Sequence, residues 1–239
     1  MNSLVIVLGI VIIFFIYLLF KYLSNTSSML VNNIDFSKSV PTINSVASPT
    51  NTSYAYGIWL YVQKWDANSK KIIFNRQDNI KLYLENSTPT LLCDVTMNET
   101  INNAATIKNI QITNSFPLQK WVCIIISIDN QILDCYLDGK LVLSQQVTKT
   151  TTSTDNKTNY IFPATPSDKV VLSLGGDSTW SANALLFTRW TTAVDPQTAW
   201  DWYMKGNGKS KLKSLFTSYG VNYSILKDDV AIVNNQPLF

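Results

Sequence analysis

The chain has 239 residues, enough beyond a short N-terminal segment for one large β-sandwich or two very small domains, and one sandwich is expected. Apolar residues make up 46% and charged residues 15%, which excludes a disordered chain; the net charge of +3, with lysines scattered along the sequence, excludes the dense basic stripe that nucleic acid requires. Histidine is absent and Glu occurs only at Glu85 and Glu99, which removes the commonest general base and zinc ligand and leaves any acid–base chemistry to Asp, Lys or Tyr.

From Leu4 to Phe20 the chain reads LVIVLGIVIIFFIYLLF without a charge, and with Tyr22 and Leu23 it approaches the ~20 residues that cross a hydrocarbon core. Leu4, Ile6, Leu8, Ile12, Phe14, Phe15, Leu19 and Phe20 make it apolar on every face, so residues 1–23 are expected to form a single transmembrane anchor. A cleaved signal would carry a basic start, a shorter apolar stretch and a small-residue cleavage site; the uncharged Met1-Asn2-Ser3 and the long run argue for a retained helix. Lys21 on the C-terminal flank favours a C-terminal domain on the cytosolic side. Residues 24–52, rich in Ser, Asn, Thr and Val and holding Pro41 and Pro49, show no sustained period and read as a linker that can pack in part on the domain.

Beyond the linker, both alternate faces of Tyr54–Val62 are apolar, as in a strand covered on both sides. Similar runs recur at Lys71–Phe74, Ile80–Leu84, Leu91–Met97, Ile107–Ile112, Trp121–Ile128, Ile132–Leu137, Leu141–Val147 and Val170–Leu174, separated by turn formers such as Asp66-Ala-Asn-Ser, Asn86-Ser-Thr-Pro and Asp129-Asn130. Many short strands predict a mostly β, antiparallel sandwich. Asp138-Gly139 is the strongest hairpin signal, because Gly tolerates the positive φ of a tight primed turn. Thr148–Thr158 is read as an exposed loop. One short helix is expected over Pro196–Met204, with Asp195 as N-cap, Pro196 in the first turn and Gly206 at the end; Trp200, Trp202 and Tyr203 are expected to pack over a sheet edge or end. In the extension 209–239, Tyr219–Leu226 alternates and is expected to add a strand to the sandwich.

Within FPLQKWVCIIISIDNQILDCYLDGKLV (Phe116–Val142) a Trp opens a strand, a short turn follows, and a Tyr-x-Asp-Gly-Lys-Leu hairpin comes next. A strand ALLFTRW (Ala184–Trp190) then leads to the helix DPQTAWDWY (Asp195–Tyr203). This arrangement resembles the laminin-G-like members of the concanavalin A-like lectin/glucanase superfamily over about residues 53–208. The resemblance implies a jelly-roll sandwich of two curved sheets, a scaffold shared by lectins, glycosidases, adhesion modules and capsid-associated proteins. An N-terminal anchor before such a domain, with Lys- and Asn-rich usage, is similar to membrane proteins of large DNA viruses, which implies a virion or host membrane location with the domain on the cytosolic or capsid side.

The superfamily's glucanases use a strand-borne Glu-x-Asp-x-x-Glu arrangement, and nothing here matches it. Asp138 is read as a turn residue, and Asp134 as an exposed strand position or a ligand. Relatives of this fold can bind Ca²⁺ at loop ends, but no ligands carry over to particular positions, so no cofactor is assigned. Gly175-Gly176-Asp177 is either a Gly-permitted turn or a loop whose backbone approaches a ligand with Asp177 beside it. Trp180 is either a packed core or rim residue or, with Asp177, a glycan-stacking platform. The sequons at Asn25, Asn51, Asn86, Asn98, Asn156 and Asn222 are little above chance in a chain so rich in Asn, Ser and Thr, and assign no lumenal side. Of Cys93, Cys123 and Cys135 at least one must lie outside an intramolecular disulfide. A two-residue Asp129-Asn130 turn sets Ile124 opposite Cys135 and points Cys123 and Cys135 to opposite faces; a three-residue loop makes them direct neighbours, and the two-residue turn is favoured. The expected function is that of a non-enzymatic, membrane-anchored structural or interaction protein with structural-protein partners; a membrane-tethered lectin is the alternative, and a carbohydrate-active enzyme the third.

Overall fold

The computed structural model describes residues 3–23, 26–101, 104–152, 158–176, 178–208, 222–227 and 230–237. In chain order these form α1 (Ser3–Leu23), β1 (Ser27–Asp35), β2 (Ser53–Val62), β3 (Lys71–Arg76), β4 (Ile80–Leu84), β5 (Leu91–Ile101), β6 (Ala104–Thr113), β7 (Trp121–Asp129) and β8 (Ile132–Leu137). There follow β9 (Lys140–Gln146), β10 (Lys149–Thr152), β11 (Thr158–Ile161), β12 (Leu172–Leu174), β13 (Ala182–Trp190), α2 (Pro196–Lys205), β14 (Asn222–Lys227) and β15 (Val230–Pro237). Side chains of α1 are described from Leu8 to Leu19, and every large apolar one among them is exposed. That stretch is shorter than the ~20 residues of a span, and among the described residues no helix is long and apolar enough to cross a membrane, so the expected anchor is not supported there. The side chains of Leu4, Ile6 and Phe20 lie outside the described residues.

Two antiparallel sheets face each other, one ordered β1-β13-β2-β7-β8-β9 and the other β12-β3-β4-β5-β6, as expected of a jelly-roll sandwich. Strand alternation sends Tyr54, Tyr56, Ile58, Leu60 and Val62 of β2 inward against Leu82, Leu84, Cys93 and Val95 of the facing sheet, forming one apolar core. The other face of β2 is apolar for a second reason. Ala55 and Trp59, with Cys123, Ile125, Tyr136 and Trp190, form an outer layer under Ala199, Trp202 and Tyr203 of α2. The Trp59 and Tyr203 rings stack at 5.7 Å, and Trp190 meets Trp202 edge-on at 5.5 Å. Gly57 has to be glycine, because a Cβ there would come within 2.8 Å of the Trp190 ring.

Helix α2 starts and stops where its residues dictate. The Asp195 carboxylate accepts from the Thr198 amide at 2.7 Å, Pro196 occupies the first turn, and Gly206 ends the helix at φ 75°. Trp202 and Tyr203 pack over the outer face of the six-stranded sheet, where a broad apolar surface is available, while Trp200 and Tyr203 lie against Gly139 at the end of that sheet, the position expected from the sequence.

Strand β13 carries an extra residue. Leu185 pairs with Trp59 and Thr188 with Gly57, leaving two residues opposite one, and Leu186 takes a φ of 53°. The bulge switches which parity faces the core: Ala182 and Ala184 before it, Phe187 and the fully buried Arg189 after it.

The segment 24–52, read as a linker that can pack in part on the domain, packs on it within residues 26–52. β1 forms the edge of the six-stranded sheet, from Ser27 opposite Trp190 to Asp35 opposite Asn183, and Ile43 bridges Leu172 of the second sheet. Its next turn is clamped by the chain's only two arginines. Arg189 donates to the carbonyls of Ala47 and Ser48, and Arg76 to those of Pro49 at 2.6 Å and Ser167 at 3.1 Å. Both guanidinium groups face the Tyr54 ring, at 5.9 and 6.0 Å. Within Thr148–Thr158, read as a loop, Lys149–Thr152 forms β10 and pairs with β11, because backbone pairing needs no apolar period. In the tail β14 pairs with β15 in a separate two-stranded sheet and adds nothing to the sandwich sheets.

Asp138 and Gly139 form the expected turn, with φ of 49° and 75° and Leu137 opposite Lys140. The turn between β7 and β8 is also two residues long, but it is Asn130-Gln131, with Asp129 still paired to Ile132. Cys135 therefore lies opposite Ile126 and not Ile124. A slip of two residues preserves facing, so Cys135 points into the inter-sheet core and Cys123 into the layer under α2. All three cysteines are free and buried, and burial pushes each thiol above its ordinary range. Native protein should resist alkylation, and denaturation without reductant after a rapid acid quench should yield three labelled thiols. A Cys123–Cys135 linkage in the peptide map would contradict this register.

Candidate functional site

The outer faces of the two sheets differ. One is covered by α2; on the other, alternation sends Ile80, Leu82 and Leu84 of β4 inward and leaves Lys81 and Tyr83 on the far side. On β5, Cys93 and Val95 face the core while Asp94 and Thr96 face out, and on β6 Ile110 faces the core and Asn109 faces out. Register then sets Lys81, Asp94 and Asn109 side by side across three strands. Lys81 Nζ lies 3.3 Å from Asp94 Oδ2. Asn109 Nδ2 donates to Asp94 Oδ1 at 2.6 Å and to the Tyr83 oxygen at 2.9 Å, and the Tyr83 hydroxyl donates to Asp94 Oδ1 at 3.3 Å. Burial, and then the adjacent Asp94 carboxylate, pushes the Tyr83 phenol up to about 12, so it stays a donor at neutral pH. Lys70 and Lys81 lie over the Tyr83 ring, at 4.8 and 5.4 Å from its centroid. Beside this network opens a cleft of about 290 Å³ lined by Asn75, Gln77, Asp78, Lys81, Asp94 and Thr96.

Both oxygens of Asp94 are engaged, which suits it to hold its neighbours in place and not to attack a substrate. Glu85 caps the turn after β4, its carboxylate accepting from the Asn86 amide at 3.0 Å. Glu99 ties β5 to β10, accepting from Lys149 at 2.8 Å, and that bond holds its carboxyl below the ordinary range. Glu85 lies beside the start of β5, its amide donating to the Thr90 carbonyl, and Glu99 lies eight residues beyond Leu91 on that strand, so the two carboxylates are separated by roughly 26 Å at strand spacing, far beyond the ~5–9.5 Å of a glycosidase pair. Asp138 is the turn residue expected, accepting from the Cys123 amide at 2.9 Å. Asp134, half-buried on β8, has an Oδ1 shielded from solvent and without a protein hydrogen bond.

The glycine pair singled out in the sequence borders a second cleft, of about 300 Å³, with Phe36, Lys38, Ser39, Ser173, Ser178 and Thr179. Gly175 takes a φ of 75°, and a Cβ on Gly176 would come within 2.8 Å of Ile72, so turn geometry and close packing account for both glycines. Asp177 lies outside the described residues. Trp180 does not offer a sugar platform: it is 4% exposed and its ring stacks on Phe36 at 4.9 Å, because the β12–β13 connection folds it into the core. Among the described residues no three acidic, Cys or His side chains gather as a metal site.

The sequence reading missed Lys81, Tyr83, Asp94 and Asn109. Their polarity within Ile80–Leu84, Leu91–Met97 and Ile107–Ile112 marks an outward face, but only the pairing register brings them together. Trp180→Ala should lower stability by about 3–5 kcal/mol in chemical denaturation, as loss of a packed aromatic does. A loss below about 1 kcal/mol would show the ring to be a surface group.

A family model described as the concanavalin A-like lectin/glucanases superfamily matches residues 37–169. Among solved structures, the binding domain of Paraclostridial Mosquitocidal Protein 1 is similar with a TM-score of 0.50 and 12% identity, over 75% of this chain and 45% of its own. The botulinum neurotoxin serotype D binding domain is similar with a TM-score of 0.53 and 14% identity, over 75% and 44%. The serotype D ligand binding domain in complex with N-acetylneuraminic acid gives a TM-score of 0.51 and 13% identity, over 75% and 43%. The chain thus spans less than half the length of these structures, and at such identity they share its fold. No curated protein matches the chain.

Proposed function

The chain belongs to the concanavalin A-like lectin/glucanases superfamily, and we propose that it is a non-enzymatic recognition protein, tethered to a membrane by α1, that binds a glycan on the open face of its five-stranded sheet. The observation that carries this reading is the solvent-facing cleft lined by Asn75, Gln77, Asp78, Lys81, Asp94 and Thr96, with Asn109 and the buried Tyr83 bracing Asp94 from beside it. Sugar hydroxyls both donate and accept, and side-chain amides and a charged carboxylate fixed in advance match them without a cost of ordering. The cleft, at about 290 Å³, stands at the lower bound of the ~300–1,000 Å³ typical of small-ligand clefts, room for a short glycan end.

The tether is supported by the uncharged apolar run Leu4–Phe20 and by the apolar side chains that α1 exposes from Leu8 to Leu19. Three free thiols and Lys21 support a domain on the cytosolic or capsid side of the membrane. The arrangement of anchor and sandwich supports a place in the membrane of a large DNA virus.

A protein partner, such as a structural protein of a shell or membrane, is the second reading. A separate observation favours it: Leu141, Val142, Trp200 and Met204 are all more than 40% exposed on edge strand β9 and the neighbouring α2.

Full-length protein should stay with membranes through alkaline carbonate extraction, and its release would sink the tether. In detergent the same protein should bind on a glycan array, and Asp94→Asn or Asn109→Ala should weaken that binding roughly 10-fold or more while the thermal melt stays cooperative, since hydrogen bonds to charged groups contribute about 1.5–3 kcal/mol. Undiminished binding by both variants would place the glycan elsewhere. No binding by the unaltered protein, with partner capture lost on Met204→Asp, would favour the second reading.

A further inference from the structure

Helix α1 ends at Leu23 and β1 begins at Ser27. Four residues reach at most about 14 Å, and the headgroup layer takes up roughly 6 Å of that. Ser27 is fixed in the fold: it pairs with Trp190, and the Thr191 amide donates to the Thr26 carbonyl at 2.9 Å. An anchored α1 therefore holds one particular end of the sandwich against the bilayer. At that end β1, β2 and β8 begin and β13, β7 and β9 finish. The second sheet presents the same end, because Arg76 at the close of β3 and Arg189 near the close of β13 hold adjoining carbonyls of Ala47, Ser48 and Pro49.

This end also carries exposed apolar side chains. Ile132 opens β8 at 47% exposure; Tyr160 and Phe162, at 63% and 40%, lie on and just after β11. β5 runs past the start of β4, where the Thr96 amide donates to the Asn79 carbonyl. Beyond that point it meets the β11 segment, with Met97 bridging Pro163 and the Asn98 amide donating to the Phe162 carbonyl. Tyr160 thus projects past the sheet, toward the end where α1 enters. β1 and β9 are opposite edges of the six-stranded sheet, five strand spacings or roughly 24 Å apart. The Gln131 carbonyl accepts from the Val147 amide just beyond β9, which places Ile132 toward the edge remote from the anchor.

We propose that Ile132, Tyr160 and Phe162 rest in the interfacial layer of the bilayer that α1 spans, giving the sandwich a second point of attachment and standing its strands upright on the membrane. The proposal rests on the tether reading. Tyr and Phe side chains suit that layer, where an aromatic body meets lipid and a hydroxyl stays hydrated, and a second contact roughly 24 Å from the first removes the swivel of a single tether. The Gly175–Gly176 cleft and the Asp138-Gly139 turn then point away from the membrane.

The test uses full-length protein in phosphatidylcholine vesicles. Because the native thiols are buried, a polarity-sensitive fluorophore can be placed selectively by Tyr160→Cys, Ile132→Cys or, at the opposite end, Lys140→Cys. With lipid spin-labelled near the headgroup, the first two probes should lose most of their emission and the third should keep it. Tyr160→Ser with Phe162→Ser should restore emission to the Ile132→Cys probe. Probes at all three positions emitting alike, in protein that resists carbonate, would overturn the docking and leave the tether standing. Release by carbonate would overturn the tether and this proposal with it.

Discussion

Two guanidinium groups hidden from water at one end of the sandwich set a constraint that the surrounding chain must meet. Arg76 and Arg189 are 2% and 0% exposed, and a buried charge is tolerated only where hydrogen-bond acceptors are fixed around it. Here the acceptors are main-chain carbonyls, those of Ala47 and Ser48 for one and Pro49 and Ser167 for the other, and the Tyr54 ring lies beside both groups. Four carbonyls from two otherwise irregular segments are thereby drawn onto the ends of β3 and β13. Each guanidinium reaches two acceptors at once, Arg189 through both terminal nitrogens and Arg76 through one. The clamp is what turns a stretch with no periodicity of its own into an integral part of the domain.

The same clamp explains where sequence reading stopped. The strands in the middle of the sheets were legible because burial imposes alternation, and α2 was legible because Asp195, Pro196 and Gly206 mark its two ends. β1 was not. It is an edge strand, it mixes Ser, Asn and Asp with apolar residues, and its period is broken at Leu30, where its pairing with β13 shifts between Met29 and Val31. Its stability comes from a partner about 150–160 residues away in sequence, which no local pattern contains. The polar network was half legible: Lys81, Asp94 and Asn109 each stand out as polar members of apolar strands, but their meeting depends on two pairing registers. Trp180 stayed open between a packed residue and a platform for a related reason, since its polar neighbours Asp177, Ser178, Thr179 and Ser181 suggest a surface while Phe36 supplies the cover.

The two outer faces of the sandwich divide the labour. Aromatic packing under α2 closes one face and stiffens the six-stranded sheet from outside. Among the described residues the opposite face carries no helix, and Lys81, Asp94, Tyr83 and Asn109 there are bonded to each other. Edge strand β9 lies between these regimes, with β8 on one side and exposed apolar residues at its start. The unequal dressing of the sheets thus gives a rigid frame with one sheet face left open among the described residues.

The bulge at Leu186 has a consequence for lineage. Because one extra residue inverts facing downstream, Ala184-Leu-Leu-Phe-Thr-Arg-Trp190 spells two half-patterns of opposite phase, joined at a residue with positive φ. Flattening the bulge with all seven residues kept would turn Arg189 toward α2 and Trp190 into the core, exchanging a cation and an indole between two compartments built for the other, whereas deleting the codon for Leu186 would leave both where they are. Chains that lack the bulge can share the strand only with a one-residue gap at this point. An alignment drawn straight through it would equate core positions with surface ones for the rest of the strand, and ancestry inferred from those columns would be read out of frame.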